Sequence, residues 1–403
     1  MIPTKQLIET TFWRLEITND LNLGKTICIP TIHPVGDQRV IRCVQAALDI
    51  GYGVHIIWLG GKPGNYQHHP MLHETRLPQA RSFKDRAKAL FRVTKLAWKL
   101  NADMWHIHDF YMLPFAYAWA LRVKKPVIYD VHEYYPEYYA RRNSIPKWLQ
   151  PQLEKMLTIG EKCLAAKLSG VNTANYAITQ KFLAANISTI TTENFPSSNF
   201  FSKHSRLLTP NLLLRVVHIG SLNATYGAET IIQAAVELLQ IAPKVEMIII
   251  GRFHSDANKL HFNSLFKQYG SPANLKLLDP IPAHKIPELL ASCGIGISAV
   301  QNIGQAPFTV HTKLYEYAIM GLAIIGPDLP ATRNFVETSA VGTLVAKNSG
   351  VAFAKAIVAT INNAEKICAA VNEKAALAKE TLSWEKVCGP RLQSLIRKLD
   401  NQG

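Results

Sequence analysis

Short apolar runs rich in Ile and Val alternate with longer amphipathic stretches from residue 25 to residue 345, and the alternation breaks only once. Strands separated by helices of that length pair in parallel, because antiparallel neighbours are joined by tight turns. In the first half, strands are predicted at 25–31, 54–59, 103–108, 126–130, 170–173 and 189–192, with helices at 39–50, 111–123, 146–168 and 176–185. Asn194, Pro196, Ser197, Ser198 and Asn199 then interrupt the pattern. It restarts with strands at 212–219, 245–250, 275–278, 295–299, 322–326 and 342–345, and helices at 228–239, 257–269 and 283–291. Two such runs predict an α/β fold of two Rossmann-like, doubly wound parallel-sheet domains facing across a cleft. A length of 403 residues, too long for one ordinary core, agrees. The expected division is an N-terminal extension (1–24), a first domain (25–195), a linker (196–211), a second domain (212–381) and a C-terminal helix (382–403) packing back on the first domain.

Charge and cysteine usage narrow the functional classes. No apolar window approaches the ~18 uncharged residues of a membrane-spanning helix. Glu9, Arg14, Glu16 and Asp20 interrupt the first apolar stretch, which lacks a signal-peptide core, so a cytoplasmic protein is expected. The six cysteines are scattered without a CxxC pair, which argues against a zinc site or a disulfide framework. A net charge of +15 calls for an anionic partner. No nucleic-acid-binding motif accompanies that charge, and nucleic acid is not an expected partner. Residues 81–100 hold seven basic residues against one acid, Asp85, with Phe83, Leu90, Phe91, Leu96, Trp98 and Leu100 as their apolar part. Such a helix packs on the sheet with a solvated basic face, or lies on the anionic inner face of the plasma membrane; the two can hold together.

The chemistry-bearing residues collect at the carboxyl ends of strands, where ligands bind in sheets of this kind. In the first domain these ends present Val35, Gly36 and Asp37, then His106, His108 and Asp109, then His132 and Glu133. Gly36 permits close approach of backbone to a ligand. Polar side chains on adjacent ends suit a hydroxyl-rich substrate. The strand-borne HxHD lacks the helical HExxH geometry, and no metal is expected. In the second domain Gly220 and Gly251 end strands, and Arg252 follows. Lys313 and Glu316 lie three apart at the start of a helix that Gly321 ends. A helix N-terminus with a lysine suits a phosphate, and Glu316, one turn further in, suits paired ribose hydroxyls. On spacing alone the pair is more simply an i,i+3 ion pair on a solvated face. Neither GxGxxG nor GxxxxGK[ST] is present.

Six stretches in order, HPVGDQRVIRCVQAALDIGYGVHII, ADMWHIHD, PVIYDVHEYYPE, ENFPS, VVHIGSLNATYGAETIIQAA and HTKLYEYAIMGLAIIGPDLPATR, span almost the whole chain. Together they resemble the retaining GT-B glycosyltransferases of family 4, the group 1 type. The resemblance implies transfer of a sugar from a nucleotide sugar, UDP- or GDP-linked, to a saccharide or lipid-linked acceptor in polysaccharide or glycolipid synthesis. It implies no metal or other cofactor. It assigns Glu316 to the ribose and Lys313 to the diphosphate, with Gly36, Gly220 and Ser221 close to the donor. Gly251, Arg252 and Leu314 complete the expected donor side. Val35, Asp37, His108, Asp109 and Glu133 fall on the acceptor side and His132 on the transferred sugar, so the expected catalytic set is His132, Lys313, Glu316 and Asp109.

Two departures from the family pattern stand out. Ser221 and Tyr226 occupy places where many relatives carry Arg and Lys, and Phe308 stands where a glutamate precedes the ribose glutamate by eight positions. Diphosphate charge is then expected on Lys313, Arg252 and helix dipoles. The alternative reading is a sugar-nucleotide-binding partner without transfer activity.

Overall fold

The computed structural model describes residues 24–402 apart from 61–68, 81, 143, 186, 202, 203, 205 and 254. The extension expected at 1–24 lies outside the described residues except for Gly24. The first half runs β1 (Thr26–Pro34), α1 (Gln38–Leu48), β2 (Gly53–Leu59), β3 (Leu72–Leu77), α2 (Phe83–Lys99), β4 (Met104–Ile107), α3 (Leu113–Val123), β5 (Val127–Val131), α4 (Tyr135–Ala140), α5 (Gln150–Ala165), β6 (Gly170–Thr173), α6 (Tyr176–Leu183), β7 (Thr189–Thr191) and α7 (Ser198–Phe201). The second half runs β8 (Arg215–Ile219), α8 (Ala228–Ile241), β9 (Glu246–Ile250), α9 (Asp256–Gln268), β10 (Leu275–Leu278), α10 (Ile286–Ala291), β11 (Ile295–Ile297), α11 (Thr312–Ile319), β12 (Ala323–Pro327), α12 (Pro330–Ser339), β13 (Gly342–Val345), α13 (Gly350–Asn362), α14 (Ala364–Thr381) and α15 (Gly389–Asp400).

The strands form two sheets, ordered β3-β2-β1-β4-β5-β6-β7 and β10-β9-β8-β11-β12-β13. Every pairing is parallel. Helices cover both faces of such sheets, so central strands read as unbroken apolar runs; β5 and β12 are buried at every position. Strand order reverses at β1/β4 and at β8/β11, which opens a crevice at the carboxyl ends of each sheet.

One polar residue interrupts β5. Asp130 is fully buried and takes an Arg39 guanidinium at 2.7 Å and the Asn172 amide at 2.6 Å. Arg39 also donates to the Thr192 carbonyl and to Asn194. This network ties α1, β5 and β6 to the segment that leaves the first sheet. The chain crosses between sheets again near residue 384, and the two crossings are bonded together. Trp384 N donates to the Pro196 carbonyl at 3.0 Å, and the Glu385 carboxylate accepts from Ser197 and from Ser198 N at 2.8 Å. Beyond them α15 lies on α1 and the first sheet, with Leu395 filling the space that a Cβ at Gly170 would need.

Several elements differ from the expected ones. β3 (LHETRL) and α4 (YPEYYA) were not expected, because the first lacks apolar alternation and the second carries Pro inside a six-residue helix. The predicted helix 146–168 begins only at Gln150, and strand 212–219 begins at Arg215 after a 3-10 turn at Pro210–Leu214. Strand 322–326 is displaced by one residue.

Candidate active site

The second sheet supplies a tight convergence of three strand ends and one helix start. Gly220 follows β8 with φ +123°, and a Cβ on Gly251 would lie 1.8 Å from the Gly220 carbonyl oxygen. Only glycine at 251 lets the ends of β8 and β9 approach this closely. Lys313, in the first turn of α11, extends into the gap. Its Nζ lies 3.2 Å from the Cβ position of Gly220, 3.4 Å from His218 Nε2 and 5.7 Å from the centre of the Tyr226 ring. His218 Nδ1 sits 3.2 Å from the Ile297 carbonyl, which fixes a proton there and leaves Nε2 as an acceptor for the ammonium. Burial and the Lys313 charge hold His218 well below its usual range, hence neutral.

Lys313 is 8% exposed. Burial pushes it down to about 7, with Glu316 opposing, and burial pushes Glu316 up to about 7 against the charges of Arg42 and Lys313. The two form no ion pair among the described residues, and the solvated surface pair that spacing alone suggests is not what the chain builds. Among the described residues no side chain caps α11; the Leu314 N–H bonds the His311 carbonyl, which leaves those of Thr312 and Lys313 to face an anion.

The first sheet supplies a histidine and carboxylate array. His33 Nδ1 is 2.8 Å from Asp37 and its Nε2 is 3.5 Å from Asp109. Burial opposes its charge, but the Asp37 hydrogen bond and the Asp109 carboxylate raise it to about 9, so it is an imidazolium at neutral pH. His132 lies 3.4 Å from Asp130 and 2.9 Å from His108, and burial lowers it to about 3, hence neutral. Asp109 is tied down by Thr31 Oγ1 at 2.7 Å and Ile32 N at 2.8 Å.

Between the sheets lies a cleft of ≈ 1580 Å³ whose lining includes His33, Asp37, Asp109, His132 and Glu133 from one side and Tyr226, Val300 and His311 from the other. The loop before α11 touches the first domain: Asn175 lies 3.4 Å from Thr309 Oγ1, the Tyr134 and Phe308 rings are 6.3 Å apart, and Gln305 lies beside Glu133. Phe308 thus forms an interdomain aromatic contact. The cleft wall reaches His311 and Thr312 and stops short of Lys313 and Glu316.

Several expected site residues are placed otherwise. Leu314 is fully buried in the core and its N–H bonds the His311 carbonyl, so it is not free for a donor. Val35 packs against the core, with its N–H on the Leu59 carbonyl, and His108 is fully buried behind His132; neither lines the cleft. Gly36 has φ +103° and turns the chain into α1, and Asp37 caps α1 through Arg39 N and Val40 N. Arg252 is exposed, outside the cleft lining, and Ser221 is half-buried beside Gly220. His33, His218, His311 and Gln305 were missed. His33 lies in the same HPVGDQ loop as Gly36 and Asp37, whose strand-end position was the available signal. Two groups could offer ligand atoms to one ion, Cys43/His106/His108/Asp130 and His33/Asp37/His132, each within 4.8 Å. In both, a carboxylate already has a cationic partner, Arg39 on Asp130 and His33 on Asp37.

Residues 214–363 match the family model for glycosyl transferases group 1, and residues 38–160 match that for the glycosyl transferase 4-like domain. The chain belongs to the group 1 glycosyltransferases. No curated protein matches its sequence. Similar solved structures include sucrose-phosphate synthase from Thermosynechococcus elongatus, at 15% identity and TM-score 0.68, covering 94% of this chain and 100% of that one. HepE of Anabaena in complex with UDP and glucose has 15% identity and TM-score 0.66, covering 93% and 99%. A trehalose-6-phosphate protein from E. coli bound with UDP-2-fluoro glucose has 13% identity and TM-score 0.63, covering 94% and 99%. At these identities the likeness shows the fold, GT-B, in which two Rossmann-like domains face each other.

Proposed function

We propose that this glycosyltransferase moves a sugar, with retention at the anomeric carbon, from a UDP- or GDP-linked donor to a saccharide or lipid-linked acceptor in polysaccharide or glycolipid synthesis. The observation that carries the reading is the buried Lys313 side chain, which has no ion-pair partner among the described residues and lies beside Gly220, Gly251 and the start of α11. A diphosphate there meets one full charge, backbone N–H groups and a helix dipole. Glu316, one turn further along α11, is the ribose ligand in this reading. Arg252, exposed near the same strand end, contributes a longer-range positive field. The structures of HepE with UDP and with UDP-glucose support a nucleotide sugar as the donor.

The hard step is departure of the nucleoside diphosphate, and groups aimed at its growing charge supply most of the catalysis. Attack by the acceptor hydroxyl on the face the leaving group vacates preserves configuration, and the departing phosphate takes the hydroxyl proton. No side chain acts as nucleophile, and the charge is met without a metal. His132, neutral and oriented by Asp130, hydrogen-bonds the transferred sugar, and Asp109 holds the carboxyl end of β1 on the acceptor side.

Calorimetry against UDP-, GDP- and dTDP-sugars tests the assignment. One donor is expected to bind, with Lys313→Ala weakening it by roughly 10- to 100-fold, the value of a charge-assisted hydrogen bond. If no donor binds and Glu316→Ala changes nothing, the assignment fails. Donor binding without transfer to any acceptor would instead support a non-transferring assembly partner.

A further inference from the structure

The first-domain wall of the cleft combines rings with guanidinium groups. Phe110, Tyr111 and Tyr139 pack with ring centres 5.0–6.2 Å apart, so the wall is pre-ordered. Arg142 lays its guanidinium over two of the neighbouring rings, 4.9 Å from the centre of Tyr139 and 5.3 Å from that of Tyr138. Stacking orients the plane and leaves the N–H edge open. Arg86, from the first turn of α2, lines the same cleft. Glu154 and Glu137, which line the cleft, have other partners: Glu154 is bonded to Arg141 at 2.9 Å, and Glu137 lies 3.8 Å from Lys181. Among the described residues neither Arg142 nor Arg86 has a side-chain hydrogen bond or an acid partner.

We propose that the acceptor is a phosphate-bearing saccharide, its phosphate held by Arg142 and Arg86 and a sugar face laid on the Phe110, Tyr111 and Tyr139 wall. The inference rests on the glycosyltransferase reading and names the chemistry of its acceptor. Two guanidinium charges match a phosphomonoester, which carries about −1.5 to −2 at neutral pH, better than they match one carboxylate. Aromatic rings offer apolar contact to the C–H face of a sugar while its hydroxyls stay toward His132 and Glu133. The phosphate belongs either to a free sugar phosphate or to the diphosphate that links a sugar to a lipid, whose two phosphates each carry a charge.

The test titrates hexose and hexose 6-phosphate into the UDP-saturated protein by calorimetry. A second arm measures co-sedimentation of the same protein with phosphatidylcholine vesicles, with and without a glycosylated lipid phosphate. Binding of one phosphorylated probe, about tenfold or more tighter than its unphosphorylated counterpart, is expected; which arm responds identifies the free or the lipid-linked source. Arg142→Gln is expected to remove that preference and Arg86→Gln to reduce it, while UDP affinity stays unchanged in both. Equal binding of charged and neutral probes, no binding in either arm, or an Arg142→Gln protein that keeps the preference overturns the proposal. Failure of the wild-type protein to bind UDP overturns the glycosyltransferase reading itself, and this acceptor with it, and is read separately.

Discussion

A buried ammonium without a carboxylate is costly unless something else solvates it, and among the described residues the Lys313 ammonium contacts the His218 imidazole and the Tyr226 ring. The consequence is a group lowered from 10.5 to about 7, beside a glutamate raised from 4.5 to about 7. For Lys313 the unfolded chain binds more protons than the folded one between about pH 7 and 10.5, so this group makes the ligand-free protein gain stability as pH rises through that window. For Glu316 the folded chain holds the extra proton, so its contribution is present below about pH 4.5 and is lost as pH rises to about 7. Both contributions are smallest near neutrality, where a diphosphate would restore the Lys313 charge. UDP binding at pH 8 is therefore expected to take up close to one proton, a fraction set by how far Lys313 has deprotonated there. Titrations in buffers of different ionisation enthalpy measure it, and Lys313→Met should abolish it. Uptake that persists in that variant would locate the proton elsewhere. Lys313 and Glu316 were legible in the sequence as a phosphate and ribose candidate because their helix-start position follows from local pattern. Leu314 was misread, since nothing in the run HTKLYEY tells which residue turns into the core. His218 and His33 acquire their significance only from partners distant along the chain or across the loop.

At the scale of elements, the close approach of β8 and β9 is what admits a ligand to the Lys313 gap. Gly251→Ala would set a Cβ 1.8 Å from the Gly220 carbonyl oxygen, and Leu222, whose Cγ would lie 3.1 Å away, blocks relief on the other side. The strand ends must part. A loss of about 1–3 kcal/mol in a denaturant titration is expected, as for other overpacked sites, together with weaker UDP binding. An unchanged unfolding midpoint would show that the strand ends already tolerate more space than the geometry gives. Most elements were legible because parallel strands buried on both faces carry unbroken apolar runs, as Met247, Ile248, Ile249 and Ile250 do in β9. β3 escaped notice because an edge strand buries less, and its Leu-His-Glu-Thr-Arg-Leu run shows no period of two. α4 escaped because its Pro and three tyrosines read as a loop, yet it carries the wall on which the acceptor is proposed to lie. The close bonding of the two interdomain crossings was not legible either, since Glu385 and Ser198 are far apart along the chain.

On the scale of the molecule, charge and exposed apolar area coincide on one face. α2, α3 and α5 bury their inner sides in a single core against the first sheet, while α1 and α15 cover the opposite side. The outer side of that three-helix layer exposes Phe91, Trp98, Leu121, Trp148, Met156 and Ile159. Around them stand exposed Lys88, Arg92, Lys95, Lys99, Arg122, Lys124, Lys147 and Lys155. The acids of these helices are already engaged: Asp85 caps α2, Glu154 holds Arg141, and Glu161 is buried on Tyr129 and Lys181. Aromatic and aliphatic side chains rising from a field of cations without an ion-pair partner among the described residues suit an anionic bilayer, where each basic residue near the surface contributes about 1 kcal/mol. No helix among the described residues is long and apolar enough to cross a membrane, so attachment would be at the surface. The basic stretch at 81–100 would then be one part of a docking layer whose other parts come from α3 and α5, and Arg86 at its edge lines the interdomain cleft. Vesicles containing phosphatidylserine or phosphatidylglycerol are expected to carry the protein on flotation at low salt. Raising ionic strength should release most of it, because a Debye length of about 3 Å at 1 M screens the cations. Replacing Trp148 and Phe91 with serine should weaken the fraction that resists salt. A protein that stays at the bottom of the gradient at low salt has no such face, and its acceptor would then have to reach the cleft from solution.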